Sequence, residues 1–379
     1  MIYFDNSATT AIYPEALKTY TDVASKIMGN PSSLHQLGTT ATRLLEASRK
    51  QIAELLSVKT GEIFFTSGGT EADNWVLKGL AFEKKAFGRH IIVSAIEHPA
   101  VKNTAQWLSK EGFDVDVAPV DKFGFVDLEM LEKLIRPDTI LISVMAVNNE
   151  VGSIQPLKEI ADLIKDKATI NFHVDAVQAI GKIPIKDFLL ERVDFVSFSA
   201  HKFHGPRAVG FIYAKEGRKL MPLIHGGGQE TGRRATTENL AGIAATAKAL
   251  RITLENEEKK QEHVRQMKEV IFQEMSSSQD VVLFSGREKF APNILTWAIK
   301  GVRGEVVVHA FEAYEIYLST TSACSSKKNA AASTLLAMKV PSALASSAVR
   351  ISLDASNTMA EIEQFLTIYH KILSELSLK

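Results

Sequence analysis

Ile63-Phe-Phe-Thr-Ser-Gly68-Gly69-Thr70-Glu71 decides the architecture. An apolar run turns over two glycines and opens directly into a helical pattern across 70–85. The same change from strand-like to helix-like text recurs downstream. Strands are predicted over 63–66, 90–95, 114–118, 139–144, 170–174, 194–198 and 209–213, with helical patterns over 128–135 and 157–165. Several of these runs are apolar at nearly every position, which suits strands covered on both faces. The alternation predicts an α/β fold: a large domain with a mainly parallel, mixed sheet flanked by helices. Ligands of such sheets sit beyond the carboxyl ends of the strands.

Outward from this region the text changes. A long helical stretch is predicted over 239–275, with the charged run Glu255 to Lys260 as its solvated face. Apolar segments at 281–284 and 294–298, a helix near 304–313 and a final helix from Thr358 form a smaller α+β unit. The segment 319–347, rich in Ser, Ala and Thr, reads as a surface loop plus a short helix.

Composition narrows the function. The 379 residues include 44 Lys+Arg and 44 Asp+Glu, a net charge of zero, which argues against a dedicated nucleic-acid binder. The single cysteine, Cys324, forbids an intrachain disulfide and a multi-cysteine metal cage. No apolar stretch approaches the ~20 residues that span a bilayer. Met1 to Ser7 has neither a basic region nor an apolar core, so the expectation is a cytoplasmic protein with no membrane contact.

Polar clusters close several of the predicted strands. Thr66 to Glu71 is either a capped turn or an anion site at a helix N-terminus. Asp175, in Phe172-His-Val-Asp-Ala-Val-Gln178, is either a helix cap or a buried acid in need of a partner. Lys202, in Ser199-Ala-His201-Lys202-Phe-His204-Gly-Pro206, is hemmed by apolar strands and is a candidate nucleophilic amine. His201 and His204 have no further ligand set beside them, so no metal is expected. His98 sits at a strand-to-helix turn as a cap, a core residue or a catalytic group. Cys324 lies in a run of small polar residues, and Arg350 in Val349-Arg-Ile-Ser-Leu353. A phosphate-binding helix terminus, an acid, a histidine and a reactive lysine together are what pyridoxal phosphate needs.

Nine motifs in order carry a resemblance: Tyr3-Phe-Asp-Asn-Ser-Ala-Thr-Thr10, Gly29-Asn-Pro-Ser-Ser-Leu-His35, Phe65-Thr-Ser-Gly-Gly-Thr-Glu71, Glu97-His98, Val147-Asn-Asn-Glu150, His173-Val-Asp-Ala176, Ser199-Ala-His-Lys202, His225-Gly-Gly-Gly-Gln-Glu230 and Ser322-Ala-Cys-Ser325. The chain resembles the cysteine desulfurases, in the aminotransferase class V group of pyridoxal-phosphate enzymes. The resemblance implies the transferase-like fold of that group, with a large cofactor-binding domain over 13–255. A small domain over 1–12 and 256–379 would carry a mobile cysteine loop at about 319–330.

It also implies residue roles. Lys202 holds the cofactor and moves protons, Asp175 pairs with the pyridine nitrogen, Gln178 donates to the phenolic oxygen, and His98 stacks on the ring. Gly69, Thr70, Ser199 and His201 hold the phosphate, joined by Thr237 from a partner subunit. Asn149 lies beside ring and substrate, and Arg350 takes the substrate carboxylate. Cys324 attacks the sulfur of L-cysteine, leaving L-alanine and an enzyme persulfide. The persulfide then passes to a protein acceptor, an iron–sulfur scaffold or a tRNA-thiolating enzyme. A homodimer is implied.

Three positions depart from the family's glycines: Thr236, Thr321 and Ala208. Threonine does not take positive φ cheaply, so ordinary backbone is expected at Thr236 and Thr321. Two alternatives stay open at this point. One is a selenocysteine lyase or related pyridoxal-phosphate enzyme. The other is a degenerate relative that serves as a binding or regulatory subunit.

Overall fold

The chain opens with a short strand, β1 (Ile2–Tyr3), and two helices, α1 (Pro14–Lys26) and α2 (Gln36–Leu56). The computed structural model describes residues 1–321 and 333–377. Strands and helices then alternate: β2 (Ile63–Thr66), α3 (Gly69–Lys84), β3 (His90–Ser94), α4 (Pro99–Lys110), β4 (Asp114–Ala118), α5 (Leu128–Leu134), β5 (Thr139–Ser143), α6 (Leu157–Leu163), β6 (Asn171–Asp175), β7 (Phe195–Ser199) and β8 (Gly210–Ala214). Strands β2 to β8 form one sheet in the order β2-β8-β7-β6-β5-β3-β4. The pairs β3/β4, β3/β5, β5/β6 and β6/β7 are parallel, and β8 runs antiparallel to both β7 and β2. The predicted α/β class and mainly parallel, mixed sheet are as found.

The apolar strands are uniform because both faces are covered. Ile91 and Val93 pack with Trp75 and Leu80 of α3, whereas Ile92 joins the opposite core with Phe172, Phe198 and Ile52 of α2. Edge strand β4 is different: Asp114 and Val117 are exposed, on opposite faces, and acidic and apolar residues alternate along it.

The remaining elements are α7 (Leu240–Leu254), α8 (Glu257–Ser276), β9 (Val281–Leu283), β10 (Ile294–Ile299), α9 (Gly304–Glu312), β11 (Ile316–Tyr317), β12 (Ser319–Thr320), α10 (Ser333–Ala337), α11 (Ser342–Ala345), β13 (Ala348–Ser352) and α12 (Met359–Ser377). An antiparallel sheet, β12-β13-β10-β9, backs a second core. There Trp297, Phe311, Phe365 and Tyr369 pack with Phe4 from the N-terminus, and β1 pairs in parallel with β11.

The structure corrects three sequence expectations. Helices α1 and α2 were not anticipated, although Ala41, Leu45, Ile52, Ala53 and Leu56 trace one buried face of α2 at helical spacing. The single helix over 239–275 is two helices. Asn256 takes φ 56° between them, and Lys260 Nζ donates to the carbonyls of Ile252 and Thr253 at the end of α7. The charged run is therefore a helix break as well as a solvated face. In the described part of 319–347, Ser319–Thr320 is a strand and two short helices follow residue 332. Leu335, Met338 and Ala345 are buried in the large core, because a few apolar residues at helical spacing suffice to seat a short helix.

Candidate active site

A cavity of about 570 Å³ opens beyond the carboxyl ends of the central strands. The loop after β2, the turn after β3, the end of β6 and the turn after β7 all reach its wall, as does Arg350 of β13. Gly69, His98, Asn149, Asp175, Lys202 and Arg350 line it, and so do Thr70, Gln178, Ser199 and His201. Residues some 280 positions apart in the chain thus meet in one site. Cys324 lies outside the described residues, but Thr320 and Thr321, just before that stretch, stand on the cavity wall. Thr237 is not on this wall. It borders a separate recess of about 180 Å³ with Ser67, Ala208 and Arg234.

The first turn of α3 makes an anion cradle. Gly68 precedes it with φ 151°, and no side chain caps the helix, which leaves first-turn N–H groups to a ligand. Gly69 cannot be larger: a Cβ there would stand 2.7 Å from Val177 Cγ2 and 3.4 Å from Ser199 Cβ. Glu71 accepts from Ser67 N–H at 2.8 Å and is held by Arg234 at 2.7 and 2.9 Å. His201, pushed down to about 4 by burial and then by Lys202 and Arg207, is a neutral neighbour, with Nδ1 3.1 Å from Thr9 Oγ1.

Asp175 ends β6, and its Oδ1 accepts from Val177 N–H at 2.9 Å. No helix follows β6, because residues 177–182 form turns, so Asp175 is a buried acid that caps a turn and not a helix. Burial raises its pKa, with His98 and Lys202 pulling the other way. Two residues back on the same strand face, His173 lies fully buried and is pushed down to about 3 by burial. Its ring nitrogens are each 2.9 Å from a hydroxyl, Nδ1 from Ser143 and Nε2 from Ser197. Asp73 of α3 shares this layer, and burial followed by the charge of Asp175 raises its pKa.

His98 is the N-cap of α4, with Nδ1 accepting from Ala100 N–H at 3.1 Å. In the neutral ring, that acceptor role assigns the proton to Nε2. Burial lowers its pKa. Lys202 closes a short turn after β7, and its Nζ donates to the carbonyls of Ser7 (2.5 Å) and Ala8 (2.9 Å). Gln178 Nε2 donates to the same Ser7 carbonyl at 2.9 Å. The N-terminal segment therefore forms part of the site.

Arg350, on β13, is 6% exposed. It donates from Nη2 to Asp5 Oδ1 at 2.9 Å and from Nη1 to the carbonyl of Asn149 at 2.6 Å, while its Nε is buried without a partner. An unpaired buried donor on a guanidinium beside a cavity suits a carboxylate ligand.

Asp5 and Ser7 stand in the first motif with nothing in the sequence to assign them a part. Only the fold shows that Asp5 meets Arg350 and Ser7 meets Lys202. The departures from glycine resolve unequally. Thr236 and Thr321 have ordinary φ, as expected, whereas Ala208 takes φ 59°. Ala208 lines the cavity in a conformation that costs an L-residue roughly 1–2 kcal/mol.

The family model for aminotransferase class V matches residues 2–365. A protein of Lactobacillus delbrueckii subsp. bulgaricus described as a NifS/IcsS protein homolog is 53% identical over 378 residues, which is 100% of this chain and 98% of that one. A protein of Clostridium botulinum named cysteine desulfurase IscS is 41% identical, across 99% of this chain and 94% of its own. A solved structure titled NifS-like protein superposes with a TM-score of 0.92 at 40% identity, covering 99% and 100% of the two chains.

Proposed function

The chain belongs to the aminotransferase class V family, and from that premise we propose that it is a pyridoxal-phosphate-dependent cysteine desulfurase. The observation that carries this reading is the meeting of Lys202, Asp175, His98 and Arg350 around one cavity at an uncapped helix N-terminus. The residues fit the cofactor. The uncapped first turn of α3 offers N–H groups to a phosphate, with Gly69 packed tightly against Val177 and Ser199, and Asp175 is a buried carboxyl whose charged form needs a cationic partner.

When bound, pyridoxal phosphate supplies an aldehyde for amines and a pyridinium ring that draws electrons from the bond being broken. The chain's own residues would do the rest. Gly69, Thr70, Ser199 and His201 would hold the phosphate, and Thr237 would reach it from a partner subunit. Asp175 would keep the proton on the ring nitrogen. Gln178 would donate to the phenolic oxygen, and His98 would pack on the ring with its Nε2–H. Lys202 Nζ would hold the cofactor and carry the proton at the substrate Cα. Arg350 and Asn149 would orient the substrate by its carboxylate.

The Cys324 thiolate would attack the sulfur of L-cysteine. An S–S bond forms as the C–S bond breaks, and the freed electron pair with a proton completes the methyl group of L-alanine. The persulfide would pass to a protein acceptor serving iron–sulfur assembly or tRNA thiolation. The exposed Met28, Leu34 and Leu37 support a homodimer. A division into 13–255 against 1–12 with 256–379 belongs to the same reading. Packing of Ile2 and Phe4 in the second core and the helix break at Asn256 support it.

The test is direct. L-Cysteine should yield L-alanine with an equal amount of reductant-labile sulfur, first on the enzyme. Selenide from L-selenocysteine without alanine from L-cysteine would replace this reading with a selenium-specific lyase.

Two variants probe the roles separately. Asp175→Asn should lower kcat by about 10²-fold or more while the cofactor still binds, since the anion matters most when charge develops at Cα. An unchanged kcat would leave Asp175 as a cap alone. Arg350→Ala should raise KM for L-cysteine by about 10- to 100-fold with the cofactor spectrum intact, reflecting the loss of a bidentate charged pair. Loss of the spectrum instead would assign Arg350 to the scaffold.

A further inference from the structure

The turn that carries Lys202 continues into His204, which is 5% exposed and takes φ 64°. Both of its ring nitrogens face acceptors. Nδ1 lies 2.9 Å from the carbonyl of Ala11, and Nε2 lies 2.9 Å from Asp354 Oδ2. Each ring nitrogen thus has an oxygen partner within hydrogen-bond distance. Tyr13 stacks on the ring at 4.1 Å between centroids.

Asp354 is equally well held. Its Oδ1 accepts from Ser356 N–H at 3.0 Å and from Ser356 Oγ at 2.7 Å, and Lys182 Nζ is 3.9 Å from Oδ2. Burial would raise its pKa, but the hydrogen bond from His204 and then the charge of Lys182 hold it well below the usual carboxylate range. The other charged and titratable groups facing the pair are Lys260 of α8 and Tyr13, with Glu257 of α8 acting on both lysines.

Position in the chain gives this pair its meaning. His204 is two residues beyond Lys202, and Asp354 is four beyond Arg350. One contact between residues 150 apart ties the turn bearing the amine to the strand bearing the guanidinium. The N-terminal segment bridges the same two elements: Thr10 Oγ1 accepts from His204 N–H at 2.8 Å, and Ser352 Oγ accepts from Ser7 N–H at 2.8 Å.

We propose that the His204–Asp354 pair is a positioning element that sets Arg350 against Lys202, so that the carboxylate and amino group of the substrate are received in one orientation. The proposal rests on the roles of Lys202 and Arg350 given above. Neither His204 nor Asp354 lines the cavity, so each acts through its neighbours. Freed from the pair, β13 can shift relative to the Lys202 turn, and small misplacements of a positioning group are costly. The cofactor side is spared, because the bonds from Lys202 to Ser7 and Ala8 do not pass through the pair.

The experiment compares His204→Asn with His204→Gln in the holoenzyme. Asparagine tolerates positive φ and places its amide near Nδ1, keeping Ala11 and losing Asp354. Glutamine reaches the Nε2 position and keeps a neutral donor to Asp354. His204→Asn, like Asp354→Asn, should raise KM for L-cysteine and the calorimetric Kd for L-alanine about tenfold, with kcat within about twofold of wild type. His204→Gln should restore both constants.

Equal constants in the two His204 variants, or a cofactor spectrum altered by His204→Asn, would overturn the proposal. Arg350→Ala is the control. If it raises KM while His204→Asn does not, the pair alone is refuted. If Arg350→Ala leaves KM unchanged, the reading of Arg350 falls and the pair with it.

Discussion

Lys202→Ala will lower turnover of L-cysteine by at least about 10³-fold while the protein stays folded. The side chain spans the space between the β7 turn and the N-terminal segment, and its ammonium is held by the Ser7 and Ala8 carbonyls. No other lysine lines the cavity among the described residues, so none can take over the amine's work. Borohydride treatment of wild type should fix the cofactor to the peptide containing Lys202, and the variant should show no such adduct. Folding is read independently, because the main-chain contacts of the turn, Phe203 N–H to Ala200 and Gly205 N–H to Ala200, do not involve the side chain. A variant that releases sulfide at the normal rate would remove Lys202 from the chemistry.

Cys324→Ser should abolish the enzyme-bound persulfide completely, with L-alanine formation reduced in parallel. The expectation is absolute for a simple reason: the chain has one cysteine, so no second thiol can carry the sulfur. A serine hydroxyl is far less acidic than a thiol and forms no stable bond to sulfane sulfur under these conditions. Cofactor attachment should be unaffected, because Lys202, Asp175 and the first turn of α3 are unchanged in that variant. Mass spectrometry after exposure to L-cysteine, with and without reductant, checks the result. A normal mass increment on the serine variant would refute the assignment.

Legibility differed from one region to another for identifiable reasons. The strands from Ile63 to Ala214 were found to within a residue or two because most are buried on both faces and almost uniformly apolar, while edge strand β4 alternates acidic and apolar residues. Helix α2 carries an equally readable pattern, yet α1 is mostly polar and exposed, and the only strand in the first sixty residues is the two-residue β1, too short to frame the alternation. The break at Asn256 went unread because neither Gly nor Pro marks it, and asparagine in the left-handed region is its only sign. In the site, Lys202, Asp175 and His98 were visible because a polar residue closing an apolar strand is locally anomalous. The pairings of Asp5, His204 and Asp354 were not, because their partners lie 150 or more residues away.

The sequence by itself determined which segments became strands and helices, and which side chains were available for chemistry. Periodicity, turn glycines and residue type act over a few positions, and Lys202, Asp175, Arg350 and Cys324 can each be picked out from their immediate neighbours. The tertiary structure alone decided how those groups are charged and paired. Burial pushes Asp175 up and His173 down to about 3, and Arg350 is fixed by Asp5 and by the Asn149 carbonyl. Desolvation and Coulomb energy depend on what surrounds a group within a few ångströms, and that surrounding is assembled from both ends of the chain.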